Sequence, residues 1–432
     1  MRSQTVSTKL KRIAEQAVQN PDMVFTTLVH HIDVDFLHEA YVLVNKRAVP
    51  GLDGVTSAKY GENLSANLEN LHKRLKEGKY RAPVIKRIWQ DKEGGEKRPI
   101  GISEFEDKIA QRAAVMLLEA VYEQDFYDFS HGYRKNKSAH KALKELRNHL
   151  MEMGISRVAD IDLWGFFDNI DRGKMLEILK KRVNDGGLLK LIGKWLNAGV
   201  LEENELSYPD KGTPQGGVIS PILANIFLHH ILDEWFEKEV KPAMKGRCFL
   251  IRFADDLVMG FELDSDSQRV MDVLPKRFGR FGLSVHPEKS KVVKFKFPGW
   301  NEKGDKDNET FDFLGFTHYW ALSRRGYWVV KKKTIGKRLK RFMKGIWRWC
   351  KVNLHELFVE QHKKLCQKLR GYYQYYGITG NFRAINRAYE WLKYSWRFWL
   401  SRRCQKGYIT IDRFEKLLLQ YALPKPRIIH TI

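Results

Sequence analysis

The sequence predicts an α+β protein that ends in a basic, helical segment, on three observations. Short apolar runs of strand character, "YRAPVIKRIW", "SRVADIDL", "RCFLIRFADDLVMGFE" and "FDFLGFTHYW", are set among longer stretches of helical period. Two of these runs carry carboxylates where a strand should end: Asp162 in one, Asp255 and Asp256 side by side in another. The charge is unevenly placed. Residues 321–432 hold 27 Lys+Arg and 5 Asp+Glu, a net of +22, whereas residues 1–320 hold 49 and 47.

The elements follow in order. Residues 1–75 read as helices broken by a turn at "VPGLDGVT", with Pro50, Gly51 and Gly54. "YRAPVIKRIW" and "KRPIGI" read as two strands around a Gly-rich turn, and residues 104–125 as a helix. "SRVADIDL" is a strand leading into a turn and helix, "WGFFDNIDRGKMLEIL". "GGVISPILANIFLHHILDEWF" reads as a long helix broken near Pro221. "RCFLIRFADDLVMGFE" has the form of a β-hairpin with both aspartates at the bend. "RFGLSVHPEKSKVVKF" and "FDFLGFTHYW" complete a sheet, and from about Lys331 the pattern is helical and basic.

Composition narrows the function. Hydrophobic residues make up 43% of the 432, enough for packed cores, yet no apolar run is long enough to cross a bilayer. The polar N-terminus lacks the apolar region of a signal peptide. Cys248, Cys350, Cys366 and Cys404 form no CxxC pair, which argues against zinc ribbons and suits a reducing cytoplasm. The basic quarter interleaves cations with aromatics, as in "GIWRWC", "LRGYYQYYG" and "YEWLKYSWRFWL". Cations follow a phosphate backbone and aromatic faces stack on bases, so nucleic acid is the expected partner; the alternative is a solvated basic face.

Adjacent buried carboxylates repel, and a cation relieves them. Asp162, Asp255 and Asp256 brought together would form a hard, oxygen-rich site suited to Mg²⁺, with two ions and Mn²⁺ as a substitute. Such a pair activates a 3′-hydroxyl and stabilises leaving pyrophosphate. Taken alone, the Asp255–Asp256 pair fits an exposed hairpin turn better than a metal site.

The order of motifs decides between these. "GLDGV", "DKEGGEKRPIGI", "SHGYRKNKSAHKAL", "DIDLWGFFDNI", "GTPQGGVISPILANIFL", "RFADDLVMGF", "FGLSVHPEKS", "FDFLGF" and "KLRGYYQYYGITGN" succeed one another along nearly the whole chain. In that order they resemble the motifs of bacterial group II intron reverse transcriptases, or maturases. The resemblance implies a right-hand polymerase: a helical N-terminal extension at 1–75, fingers and palm at 76–320, and a basic helical thumb or maturase (X) domain at 321–432.

It also implies roles. Asp162, Asp255 and Asp256 match the metal-binding catalytic triad. Lys92 and Arg98 match positions that grip the triphosphate, although "DKEGGEK" is also a good solvated turn. Phe167 matches the aromatic against the nucleotide sugar, with Phe166 as core on another side. Gln215 and Gly216 match the segment behind the nucleotide, and Lys289 a general acid for pyrophosphate. Phe313, Leu314 and Gly315 resemble the primer grip or are plain sheet core. Lys331, Lys332, Lys333, Arg370, Tyr372 and Tyr373 are the expected nucleic-acid contacts, and Asp168 and Asp171 are structural.

Some positions depart from the family pattern: Phe253 for Tyr, His131 and Tyr133 for Tyr and Phe, Ser103 for Pro. None removes a charged role. The expected partners are RNA template, DNA or RNA primer, dNTPs and a group II intron RNA, with no membrane, in a bacterial cytoplasm; an HNH endonuclease segment is not expected. The alternatives are a domesticated free-standing reverse transcriptase in defence or repair, and an RNA-binding splicing factor with a vestigial polymerase site.

Overall fold

The computed structural model describes residues 2–91, 97–202, 205–208, 211–212, 216–299, 308–403 and 407–432. The strands, in chain order, are β1 (Ile85–Asp91), β2 (Lys97–Ile102), β3 (Arg157–Ile161), β4 (Val200–Glu202), β5 (Glu205–Ser207), β6 (Cys248–Phe253), β7 (Asp256–Phe261), β8 (Lys291–Lys294), β9 (Phe311–Phe313), β10 (Phe316–Leu322) and β11 (Trp328–Thr334). They build three sheets, ordered β2-β1-β4-β5, β6-β7-β3-β8 and β11-β10-β9. β1 and β4 run parallel, and every other pairing is antiparallel.

The second sheet is central because both of its faces are covered. Strand side chains alternate, so Ala159, Ile161, Leu257 and Met259 join one core, with the helices Phe105–Tyr122 and Ser220–Leu228 and the N-terminal helices. Val158, Ile251 and Val258 join another, with the helix Ala139–Glu152 and the third sheet. The same parity puts Asp160, opposite Val258, and Asp256, two before it, on the second face. A third core lies within the C-terminal helices Gly336–Val352, Phe358–Tyr376 and Phe382–Leu400.

Three expectations need correcting. Pro221 does not break a helix. It sits in the first turn of Ser220–Leu228, where a missing N–H costs nothing, and the helix runs on through π-helical stretches at His229–Asp233 and Phe236–Val240. "FDFLGFTHYW" does not complete the central sheet but forms β9 and β10 of the third. The helical pattern does not begin at Lys331, because Trp328–Thr334 pairs with β10 as β11; helix starts at Gly336. Among the described residues, no helix is long and apolar enough to cross a membrane. Cys248, Cys350 and Cys366 are buried free thiols, and Cys404 lies outside the described residues.

The third sheet buries two nitrogen bases. His318 stacks on Phe311, with centroids 4.8 Å apart, and faces Lys332 across the β10–β11 ladder. Burial, reinforced by Lys332, pushes the imidazole down to about 3. Burial pushes Lys332 down to about 8. An unfolded histidine takes a proton near pH 6.5, whereas folded His318 resists until about 3. Between those values the unfolded chain holds more protons, so stability is lost as pH falls. Urea midpoints at pH 7 and pH 5 should therefore separate more for the wild-type protein than for His318→Phe, which keeps the ring stack. Equal separations would show that His318 does not contribute.

Candidate active site

The site begins at the β6–β7 turn. Arg252, the last inward side chain of β6 and fully buried, forms a two-pronged ion pair with buried Asp233: Nε to Oδ1 at 2.8 Å and Nη2 to Oδ2 at 2.6 Å. Its Nη1 donates to Asn225 Oδ1 (2.8 Å) and to the Ala254 carbonyl (3.2 Å). Asn225 Nδ2 in turn donates to the Gly132 carbonyl at 2.8 Å. Ala254 holds a left-handed φ of 57°. Gly132 lies so close that a Cβ there would stand 2.2 Å from the Ala254 nitrogen, so only glycine fits. The backbone of residues 129–131 completes the clamp, with Arg252 N donating to Phe129 O and His131 N to Arg252 O. The turn that presents Asp255 and Asp256 is thus fixed from beneath.

Asp162 arrives from β3. Its carbonyl accepts from His286 N (2.8 Å), its amide donates to Ser290 Oγ (3.1 Å), and Lys289 Nζ lies 3.6 Å from its carboxylate. Asp256 is exposed on its open side, where it lines both clefts, and crowded by protein on the other. Burial, then the charges of Asp255 and Asp162, push its carboxyl up to about 7, against the pull of Arg338 and Arg98. Asp160 is pushed up to about 7 by burial and by Asp256, Asp312 and Asp162, with Lys291 opposing. Carboxylates that resist ionisation through burial and then through the acids beside them mark a place where a divalent cation is favoured, and the donors are the hard oxygens Mg²⁺ prefers. Among the described residues, however, no three Asp, Glu, His or Cys side chains gather tightly enough to hold a metal ion as they stand.

The acids sit where two clefts meet. A cleft of about 540 Å³ is walled by Arg98, Tyr133, Phe167, Asp255 and Lys289. A larger one of about 1130 Å³ shares Arg98, Asp162, Asp256 and Lys289 and extends along the third sheet to Arg338 and Arg341.

Of the expected nucleotide contacts, Lys92 and Gln215 lie outside the described residues. Arg98 on β2 and Lys289 face the acids across both clefts. Gly216 holds φ 110°, and a Cβ there would stand 2.5 Å from the Gly101 carbonyl, so glycine lets this segment close on β2. Phe166 and Phe167 are both buried and both border the smaller cleft, edge to face at 5.2 Å; they do not point to different sides. Asp171 caps the next helix at Lys174 N.

Phe313 is buried in the sheet core, while Leu314 (φ 47°) and Gly315 (φ 82°) form the bend that borders the larger cleft. The Tyr375 hydroxyl donates to the Leu314 carbonyl at 2.8 Å.

The expected nucleic-acid contacts divide. Lys333 and Arg370 are exposed and Lys331 is half-buried. Lys332, Tyr372 and Tyr373 are corrected to interior positions. Strand alternation turns Lys332 inward, and the two tyrosines pack in the core of the helical segment. Asp160, Arg338 and Arg341 were not anticipated. The i, i+2 spacing of "DID" was the available signal for Asp160; the arginines gave none beyond the general basic excess.

A family model described as reverse transcriptase (RNA-dependent DNA polymerase) matches residues 90–318. The group II intron-encoded protein LtrA of Lactococcus lactis subsp. cremoris is 35% identical over 228 residues, 51% of this chain and 37% of LtrA. Protein YkfC of Escherichia coli (strain K12) is 32% identical over 231 residues, 52% of this chain and 61% of YkfC. An uncharacterized 91 kDa protein in the cob intron of Schizosaccharomyces pombe is 26% identical over 383 residues, 73% of this chain and 46% of that protein. The chain thus spans between about a third and three fifths of the length of these relatives.

The Arg252–Asp233 pair generates a test. Removing one partner strands a buried charge, so Arg252→Met should cost about 3–5 kcal/mol. Adding Asp233→Leu should recover part of that loss. Urea denaturation of both variants measures it; a single variant as stable as wild type would exclude the pair as the anchor of the turn.

Proposed function

The chain belongs to the reverse transcriptase (RNA-dependent DNA polymerase) family, and from that premise we propose that it copies an RNA template into DNA by nucleotidyl transfer. In this reading the chain folds as a right-hand polymerase. β1, β2, β4 and β5 belong to the fingers, the central sheet is the palm, and the basic helices after Gly336 form the thumb or maturase domain. The observation that carries it is the meeting of Asp162, Asp255 and Asp256 with Arg98 and Lys289 around one cleft.

Asp162, Asp255 and Asp256 are the residues that would hold two Mg²⁺ ions, or Mn²⁺ in their place. When bound, such ions supply activation of a primer 3′-hydroxyl and charge for the leaving pyrophosphate. Arg98 and Lys92 bind the triphosphate; Lys289 stands by to protonate pyrophosphate; Gln215 and Gly216 back the nucleotide. Leu314 and Gly315 orient the primer end. Primer–template nucleic acid would lie along the larger cleft towards Arg338 and Arg341.

The maturase role, binding a group II intron RNA to assist splicing and mobility, is supported by the +22 charge of residues 321–432 and by the likeness to an intron-encoded protein. Sequencing RNA that copurifies with the full chain tests it. An enriched structured intron supports the role, and a diffuse population fits a domesticated enzyme instead.

Two variants test the polymerase. Asp255→Asn should abolish primer extension on an RNA template while leaving template–primer affinity near wild type, because it removes a metal ligand and no phosphate contact. Extension at near wild-type rate would show that the triad is misassigned.

Phe167 fills the space where a ribose 2′-hydroxyl would fall and offers it no hydrogen bond. A polar group buried unpaired costs about 1–3 kcal/mol, so Phe167→Ala should raise ribonucleotide incorporation about tenfold or more. Phe166→Ala, at the other ring of the pair, should mainly lower stability. Extension with one rNTP replacing its dNTP reads both. Unchanged discrimination in folded Phe167→Ala would put the sugar gate elsewhere.

A further inference from the structure

Tyr133 is held in an unusual way for a residue with a large side chain. Its backbone is left-handed, with φ 57°, a conformation that residues with a Cβ adopt reluctantly. Non-glycine residues kept in that region cluster at functional sites.

The neighbours explain how it is kept there. Gly132 is pressed against Ala254 and tied through its carbonyl to Asn225. On the other side, Arg134 is anchored by Nε to Glu123 (3.1 Å) and by Nη1 to the carbonyls of Tyr127 (2.7 Å) and Ser130 (2.8 Å). Between these fixed points the Tyr133 side chain stands 58% exposed on the wall of the smaller cleft. It lines that cleft together with Arg98, Asp255 and Asp256, and burial of part of the ring, followed by the charge of Asp255, raises its phenol and keeps it neutral. Among the described residues its hydroxyl makes no hydrogen bond.

We propose that Tyr133 contacts substrate: its hydroxyl donates a hydrogen bond to a phosphate oxygen of the incoming nucleotide, beside Arg98. This rests on the polymerase reading above.

The chemistry fits the surroundings. A triphosphate approaching carboxylates needs donors, and a neutral phenol supplies one without adding a charge that would compete with a metal for the aspartates. A phosphate chain bound between a guanidinium and metal-ligating acids passes the residue that lies between them. The anchoring on both sides fixes the backbone at Tyr133 before the nucleotide arrives, so only the side-chain torsions remain to be ordered on binding. A simple packing role fits less well, because the residue is exposed on the cleft wall and belongs to none of the buried cores.

Single-nucleotide incorporation under pre-steady-state conditions separates nucleotide affinity from the rate of the chemical step. Tyr133→Phe keeps the ring and loses only the hydroxyl. A lost hydrogen bond to a charged group should weaken apparent dNTP affinity about tenfold, with the maximal rate within about twofold and template–primer affinity unchanged. Tyr133→Gly, which suits a left-handed backbone, should not restore the affinity.

Tyr133→Phe matching wild type in dNTP affinity would overturn the proposal, whether or not Tyr133→Gly is impaired; so would equal loss of template–primer affinity. Failure of the wild-type protein to extend any primer would instead overturn the polymerase reading itself.

Discussion

The buried ion pair of Arg252 with Asp233 is the constraint on which the site depends. A guanidinium removed from water needs its hydrogen bonds satisfied, and Arg252 satisfies them with the carboxylate, with Asn225 and with the Ala254 carbonyl. The last of these is a backbone atom of the acidic turn. The arginine therefore cannot shift without moving Asp255 and Asp256, and its fork geometry sets the direction of the chain at that point. Asp233 and Asn225 belong to one long helical run, and the π-helical stretch ending at Asp233 alters the facing of its side chains at that point. Through Asn225 the same helix grips Gly132, so the loop bearing Tyr133 and the turn bearing the acids are set against each other by one buried polar network.

Charge is the second organising element. The chain holds nearly balanced charge up to residue 320 and a large positive excess after it. Within the balanced part, Asp160, Asp162 and Asp256 are crowded together, and two of them are pushed towards neutrality at pH 7. Such crowding opposes folding, and packing elsewhere must offset it. In the proposed reading, a bound cation would relieve it at the acids and a bound polyanion would pair with the surrounding Arg and Lys.

How much of this was legible in sequence depended on whether a residue's partner was local. Asp162 and the Asp255–Asp256 pair are marked by their place at the ends of apolar strands, and the order of the surrounding motifs separates them from an ordinary acidic turn. The hairpin, the helix at 104–125 and the broken N-terminal helices followed from period and turn residues. Asp233 did not stand out, because its partner is 19 residues away and it sits inside an apolar helix where an acid seems a solvated exception. The third sheet was merged with the central one because strand period says nothing about which strand pairs with which. Lys332 shows the sharpest failure. In "WVVKKKT" three consecutive lysines suggested a basic surface, but a strand turns its middle residue opposite to its neighbours, and the middle lysine faces the core beside His318.

Asp256 stands where three parts of the fold meet. Its charge is opposed by Arg98 from the first sheet and by Arg338 from the first C-terminal helix, and is crowded by Asp255 on its own turn and Asp162 on β3. One carboxylate thus feels the first sheet, the central sheet and the helical segment at once. The segment leading into the helix Ser220–Leu228 closes on the first sheet where Gly216 meets Gly101, and the helical segment is tied to the third sheet by Tyr375 on the Leu314 carbonyl. A nucleotide and its metal ions entering between Arg98 and Asp256 would take over the compensation those arginines now provide. Binding would then change the electrostatic contact between all three parts of the molecule, so the acids assigned to the chemistry in the proposed reading would also register whether the site is filled.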